Sequence, residues 1–169
     1  MKRILVIGSS GSGKSYLANQ LSEKLNLPFF ASDHFYWKSD WKHSPPEEVH
    51  QNVKHIVDQE AWILDGNFDD MREMVWKRAE CIIWLDYSFW TIIKQVVFRN
   101  FRWMISRQPT WSGNKMYLTQ VLSGIWHSVK SFSRKRRQYP GWLSELHSVI
   151  CYRFHSRQET QAWLDTMDG

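Results

Sequence analysis

The chain has 169 residues, 43% hydrophobic and 23% charged, enough apolar material for one domain, or a domain with an inserted flap, to bury a core without a metal or disulfide staple. Its two cysteines, Cys81 and Cys151, lie inside apolar runs and are expected to be buried, reduced thiols of an intracellular protein, which excludes a disulfide framework. The net charge is +5 but unevenly spread: between Asp86 and Glu145 there are ten basic residues and no acid, leaving twelve basic against seventeen acidic elsewhere, so an anionic partner is expected along residues 87–144.

After Met1-Lys2-Arg3 the apolar run Ile4 to Ile7 is shorter than a signal core, and no stretch approaches a membrane span. A cytoplasmic protein with no membrane partner is expected. Arg3 to Ile7 reads as a strand ending at Gly8, and Lys14 to Leu25, with leucines at 17, 21 and 25, as an amphipathic helix. Leu27 to Ala31 is a second strand, followed by the polar and aromatic stretch Ser32 to Trp37. Ser44-Pro45-Pro46-Glu47 predicts a helix start with Ser44 as N-cap in a capping box, and the helix runs to about Gln59. Ala61 to Leu64 and Cys81 to Leu85 are the third and fourth strands, each finishing on a carboxylate, Asp65 and Asp86. Ser88 to about Ser106 reads as a long helix, Pro109 to Asn114 as a loop, and 116 to 137 as weakly periodic helix that Pro140-Gly141 breaks. Val149 to Phe154 is a fifth strand, and Ser156-Arg157-Gln158-Glu159 is a second capping box opening a C-terminal helix. Short apolar strands alternating with helices predict an α/β fold with a doubly wound parallel sheet, whose ligands bind beyond the carboxyl ends of the strands.

Gly8, Ser9, Ser10, Gly11, Ser12, Gly13, Lys14 and Ser15 satisfy G-x-x-x-x-G-K-[ST] between a strand and a helix, the phosphate-binding P-loop context. Its glycines let consecutive amides face one phosphate with the helix dipole behind them; Lys14 reaches the β and γ phosphates and the Ser15 hydroxyl ligates magnesium. These residues predict ATP and Mg2+ as cofactors. A second magnesium anchor is expected from Asp65 or Asp86; Asp65 is preferred because the irregular turn Gly66-Asn67 follows it, whereas Asp86 reads equally as a helix-start or structural carboxylate. Arg99 and Arg102, three apart on one helix face, and Arg107 near the loop are the arginines expected to neutralise a transferring phosphoryl group. Arg134, Arg136 and Arg137 read instead as a solvated turn or docking patch. Asp33, beside His34 and three aromatics, is the candidate to orient or deprotonate an acceptor hydroxyl. The GTPase signature Asn-Lys-x-Asp fails at Asn114-Lys115-Met116-Tyr117, and the histidines have no cysteine companions at zinc spacing.

The chain resembles the bacterial DNA topology modulation proteins, themselves similar to adenylate kinase and shikimate kinase in the P-loop kinase group. The likeness rests on Arg3 to Ser15, on Ser-Asp-His-Phe-Tyr-Trp at 32–37 with Trp41 beyond it, and on Trp-Ile-Leu-Asp-Gly-Asn-Phe at 62–68. It continues in Ile-Ile-Trp-Leu-Asp at 82–86, in Arg99 and Arg102, and in 149–164; residues 108 to 145 match loosely. The resemblance implies a three-layer P-loop fold with a five-stranded parallel sheet of order 2-3-1-4-5 and a single domain, its core at about 1–90 and 145–169 and a basic helical lid at about 91–144. It implies that Asp65 lies next to the phosphate loop, Asp33 on the acceptor side, and the loop around His155 to Gln158, with Arg157, near the adenine. Where adenylate kinases follow Asp-Gly with Phe-Pro-Arg, this chain has Asn67-Phe68-Asp69, with Arg72 the nearest arginine. The expected activity is magnesium-dependent transfer of the ATP γ-phosphoryl group to a small hydroxylated or nucleotide-like acceptor. The alternative is an ATP-binding regulator whose basic segment contacts nucleic acid, with the salt dependence that phosphate contacts impose.

Overall fold

The computed structural model describes residues 1–106, 113–114 and 118–167. Five parallel strands, β1 (Arg3–Gly8), β2 (Phe29–Ala31), β3 (Trp62–Asp65), β4 (Cys81–Leu85) and β5 (Ile150–Phe154), form one sheet of order β2-β3-β1-β4-β5. β1 lies at the centre, with Val6 opposite Asp65 of β3 and Gly8 opposite Leu85 of β4. The strand order reverses across β1, so the crevice where a ligand is expected lies at its carboxyl end.

The apolar strand runs are continuous rather than alternating because both faces of the sheet are covered. Leu5, Ile7, Leu64, Ile82 and Trp84 face α3 (Pro46–Val57), α4 (Arg72–Val75) and the aromatic end of α6 (Leu118–Ser144). Ile4, Val6, Ile63, Ile83 and Leu85 face α1 (Lys14–Leu25), α5 (Phe89–Ser106) and α7 (Arg157–Asp165). α5 and α6 pack antiparallel: Phe89 meets Phe132 with ring centroids 5.4 Å apart, and Gly124 sits against Asn100.

Several sequence expectations need correction. Ser44 is not the cap of α3: its amide donates to Tyr36 O at 3.0 Å, and Pro45 is the N-cap, with no side-chain capping bond. Pro46 at the first helical position forces the residue before it to be extended, and Pro45 obliges with ψ 138°. The box at 156–159 does form: Ser156 Oγ accepts from the Glu159 amide at 3.2 Å, and Glu159 Oε2 accepts from the His155 amide at 2.8 Å. The stretch after β2 contains a single helical turn, α2 (Asp33–Tyr36), that periodicity could not show. Pro140 does not break α6. Tyr139 is fully buried among Trp76, Trp84 and Trp142, with centroids 5.3, 5.6 and 5.6 Å away, and this aromatic packing outweighs the one ladder bond the proline removes near the helix end. Cys81 is buried, but Cys151 is exposed, as is Ile150 beside it, at the start of the edge strand β5. Among the described residues no helix is long and apolar enough to cross a membrane. The expected loop at 109–114 lies outside the described residues apart from Gly113 and Asn114; Asn114 is buried, its side chain bonding Lys38 O and the Trp41 amide at 2.9 and 3.0 Å.

Candidate active site

The loop that leaves β1 is drawn tight by the Ser12 amide donating to Ser9 O at 3.1 Å. Gly13, at φ 92° and ψ 20°, turns the chain into α1, and the helical ladder begins with the Leu17 amide on Gly13 O at 3.0 Å. No side chain caps this helix and no acid lies in its first turn, so the leading amides and the positive end of the dipole are left for an anion. Ser12 is 1% exposed, and its hydroxyl has no partner among the described residues. A buried polar atom without a partner is costly, and a bound phosphate would relieve it. Lys14 folds back with Nζ on Ser9 O at 3.1 Å. Burial pulls its pKa below the ordinary lysine value, Asp65 and Asp33 pull it upward, and the Arg99 charge adds to the lowering.

Asp65, 2% exposed, ends β3 beside the loop. The Ser15 hydroxyl donates to its Oδ2, and its Oδ1 accepts from the Ser32 amide at 2.8 Å, so one carboxylate joins the phosphate loop to the start of α2. Gly66 follows at φ 140°; a Cβ there would lie 2.7 Å from Ser32 Oγ and 2.8 Å from the Phe68 ring. Asn67 then reaches back, its Oδ1 accepting from the Gly8 amide at 2.9 Å and its carbonyl from the Trp76 indole at 2.8 Å. The other strand-end carboxylate, Asp86, serves a different purpose. It is clamped by Arg136 Nε at 2.7 Å and Arg153 Nη2 at 2.6 Å, while Ser88 takes the Thr91 amide at the start of α5. Asp86 is therefore neither a helix cap nor a neighbour of Ser15 in hydrogen-bond contact; it is an ion-pair anchor.

Asp33 opens α2 at the carboxyl end of β2. Burial raises its carboxyl pKa above the usual range, against the pull of Lys14 and Arg99. Arg99 comes from the middle of α5, with its guanidinium 4.9 Å over the Trp103 ring and its Nε without a partner among the described residues. Arg102 shares a hollow of about 300 Å3 with Arg99, Phe98, Trp103 and Ser106, but it is exposed. Arg107 lies outside the described residues. Arg157 and Gln158 line a second hollow, about 480 Å3, on the side of the loop where α7 begins, together with Ser12, Gly13, Tyr16 and Tyr87.

The basic run at 134–137 is not a solvated turn. It is helical, and the sheet side of α6 carries Ser128, Ser131, Lys135 and Tyr139 as one buried stripe at three- and four-residue spacing. Lys135 Nζ donates to Gly8 O at 3.3 Å, Arg134 reaches Asp69 at 3.4 Å, and Tyr139 donates to Asp69 at 2.8 Å. The sequence hides Lys135 because four consecutive cations mask the stripe; its four-residue spacing from the apolar Tyr139 is the available signal. Arg72, the arginine nearest the turn after β3, lies 4.5 Å over the Trp142 ring and 3.3 Å from Glu73.

Neither a protein-family profile nor a curated protein sequence matches the chain. Solved structures do. Shikimate kinase from Acinetobacter baumannii, in complex with shikimate, superposes with a TM-score of 0.58 at 16% identity, over 99% of this chain and 93% of that one. A gluconokinase from Sinorhizobium meliloti gives 0.55 at 13%, over 99% and 93%. Shikimate kinase from Aquifex aeolicus gives 0.51 at 16%, over 99% and 96%. At such identities the likeness speaks for the fold, and the likeness to DNA topology modulation proteins stays with the sequence alone. The five-stranded parallel sheet, its order and its helices are those of the P-loop kinase fold.

Proposed function

We propose that the chain is an ATP-dependent P-loop kinase acting on a small hydroxylated acceptor. The observation that carries this reading is the phosphate loop itself, with Lys14 folded onto Ser9 O, the Ser12 hydroxyl unpartnered among the described residues and Ser15 bonded to Asp65, and with the charges of Asp33 and Arg99 near enough to act on Lys14. The uncapped α1 amides and the unpartnered Ser12 hydroxyl fit the phosphates of ATP, and the oxygen pair of Ser15 and Asp65 fits magnesium, a hard cation. ATP supplies the phosphoryl group and magnesium offsets its charge. Lys14 and Arg99 place positive charge where the transferring group develops negative charge, and Arg102 and Arg107 are assigned to the same task. Asp33 accepts the proton of the acceptor hydroxyl; its raised pKa makes it a better base than an ordinary carboxylate. Arg157 is assigned to the nucleotide side, where its hollow borders the loop.

Arg72, engaged by Trp142 and Glu73, is not presented as the arginine that would hold a nucleoside monophosphate, which favours a small hydroxylated metabolite over a nucleotide acceptor. The alternative of a regulator with a nucleic-acid face is weakened by the burial of Arg99 and Lys135 and by the pairing of Arg136 with Asp86, which engage three of the segment's cations within the protein. The test is ATP turnover with magnesium against a panel of nucleosides, nucleotides and hydroxylated metabolites, with Lys14→Ala as control. Stimulation by one acceptor class, abolished in the variant, is expected; turnover unchanged by Lys14→Ala would sink the mechanism.

A further inference from the structure

Two ammonium groups rest on consecutive carbonyls of the phosphate loop. Lys14 Nζ donates to Ser9 O at 3.1 Å, and Lys135 Nζ, arriving from α6, donates to Gly8 O at 3.3 Å. Lys135 is only 6% exposed, and among the described residues Gly8 O is the acceptor its three N–H donors have. The carboxylate that faces it, Asp69, is already taken by Tyr139 at 2.8 Å and Arg134 at 3.4 Å. A buried ammonium beside a second one, with no carboxylate in contact among the described residues, is an unfavourable arrangement that an anion in the loop would repair. The unpartnered hydroxyl of Ser12 in the same loop asks for the same ligand.

We infer that Lys135 is a second lysine of the phosphate site, joining Lys14 on a phosphoryl group held in the loop and so tying occupancy of the loop to α6. The inference rests on the nucleotide-binding part of the reading above, but not on the identity or existence of an acceptor. The groups facing Lys135 are Lys14 from α1, Asp69 from the turn after β3, and Arg134 on its own helix. Burial, helped by Lys14, pushes its pKa down to about 7, with Asp69 opposing and Arg134 adding to the fall. A phosphate dianion beside it raises that value, so binding takes up a proton. Affinity is then full below about pH 7 and falls, by up to about tenfold per pH unit, as pH rises from the free to the bound value.

The experiment is calorimetric titration of the whole chain with ATP in excess magnesium and no acceptor, from pH 6.5 to 8.5, in buffers of differing ionisation enthalpy. The wild type is expected to take up protons and to weaken as pH rises. Lys135→Met should bind about tenfold or more weakly at pH 6.5, with the gap narrowing toward pH 8.5 and the proton uptake reduced by close to one. Lys135→Arg, which keeps a cation that cannot deprotonate, should retain affinity at pH 6.5 and lose the same share of the pH dependence, and it serves if the methionine variant does not fold. A lysine that merely props up Gly8 O would leave the pH dependence of Lys135→Arg as in the wild type. That result, or wild-type affinity and slope in Lys135→Met, overturns the inference. Intact proton linkage without phosphotransfer to any acceptor would instead refute the kinase reading and leave Lys135 in place.

Discussion

Asp86→Asn separates the two carboxylates that end the neighbours of β1. The Asp86 side chain is 2% exposed and receives Arg136 Nε at 2.7 Å, Arg136 Nη2 at 3.4 Å, Arg153 Nε at 3.1 Å and Arg153 Nη2 at 2.6 Å. Breaking a fully buried pair costs about 3–5 kcal/mol because the surviving charge is stranded. Here the survivors, Arg136 and Arg153, are 42% and 43% exposed and can turn into water, so the penalty is discounted to about 2 kcal/mol, the lost charge-assisted bonds plus a desolvated amide. For a chain of this length that is about 4–8 °C in Tm. Thermal and urea unfolding of the variant, alongside its affinity for ATP with magnesium, reads both quantities. Destabilisation of this size with affinity kept within about threefold is expected. Unchanged stability together with a collapse of magnesium-dependent affinity would refute the assignment and return Asp86 to the metal site.

Asp33→Asn should separate stability from chemistry. Because burial raises the folded carboxyl pKa, whatever stability Asp33 contributes is present below its unfolded value near pH 4 and is lost as pH rises through the folded one; at neutral pH the charged form is a burden. The amide variant should therefore melt at the wild-type temperature or above it while losing about a hundredfold or more in acceptor-dependent turnover. Wild-type turnover should fall on the acid side at a pH above the ordinary carboxylate range, and turnover of Asp33→Asn at the wild-type rate would remove Asp33 from the mechanism. Gly66→Ala places a Cβ 2.7 Å from Ser32 Oγ at a backbone φ of 140°, so it should cost about 1–3 kcal/mol in urea unfolding and weaken magnesium-dependent ATP binding, since Ser32 holds Asp65. A stability equal to the wild type would show that the turn relaxes.

The phosphate loop, the strands and the carboxylates at their ends were legible because each is a local pattern: a fixed spacing of glycines, or an apolar run stopped by a polar residue. What was not legible depends on what packs across from a residue. Asp65 and Asp86 end β3 and β4 in much the same sequence setting, and only the partners, Ser15 for one and two arginines for the other, tell them apart. Pro140 signals a helix end in any single-sequence reading, and the buried Tyr139 beside it overrules the signal. Cys151 sits in an apolar run like that of Cys81, but it lies at the start of the edge strand β5, where both it and Ile150 are exposed.

The basic segment shows why charge counts locate a site without describing it. Successive residues of a helix point about 100° apart, so Arg134, Lys135 and Arg136 cannot share one partner. In α6 they meet Asp69 after β3, Gly8 at the end of β1, and Asp86 after β4. Those three contacts lie along the carboxyl edge of the sheet, so the helix spans the crevice at the point where the strand order reverses. A helix stopped at Pro140 would lose the anchorage of Trp142 behind Tyr139 that holds this run in register. One cation of the run, Lys135, is thus directed at the phosphate loop, while its neighbours pair with acids after β3 and β4. In that position a cation changes the affinity and proton balance of an anion in the loop, which a charge on the outer surface would leave untouched.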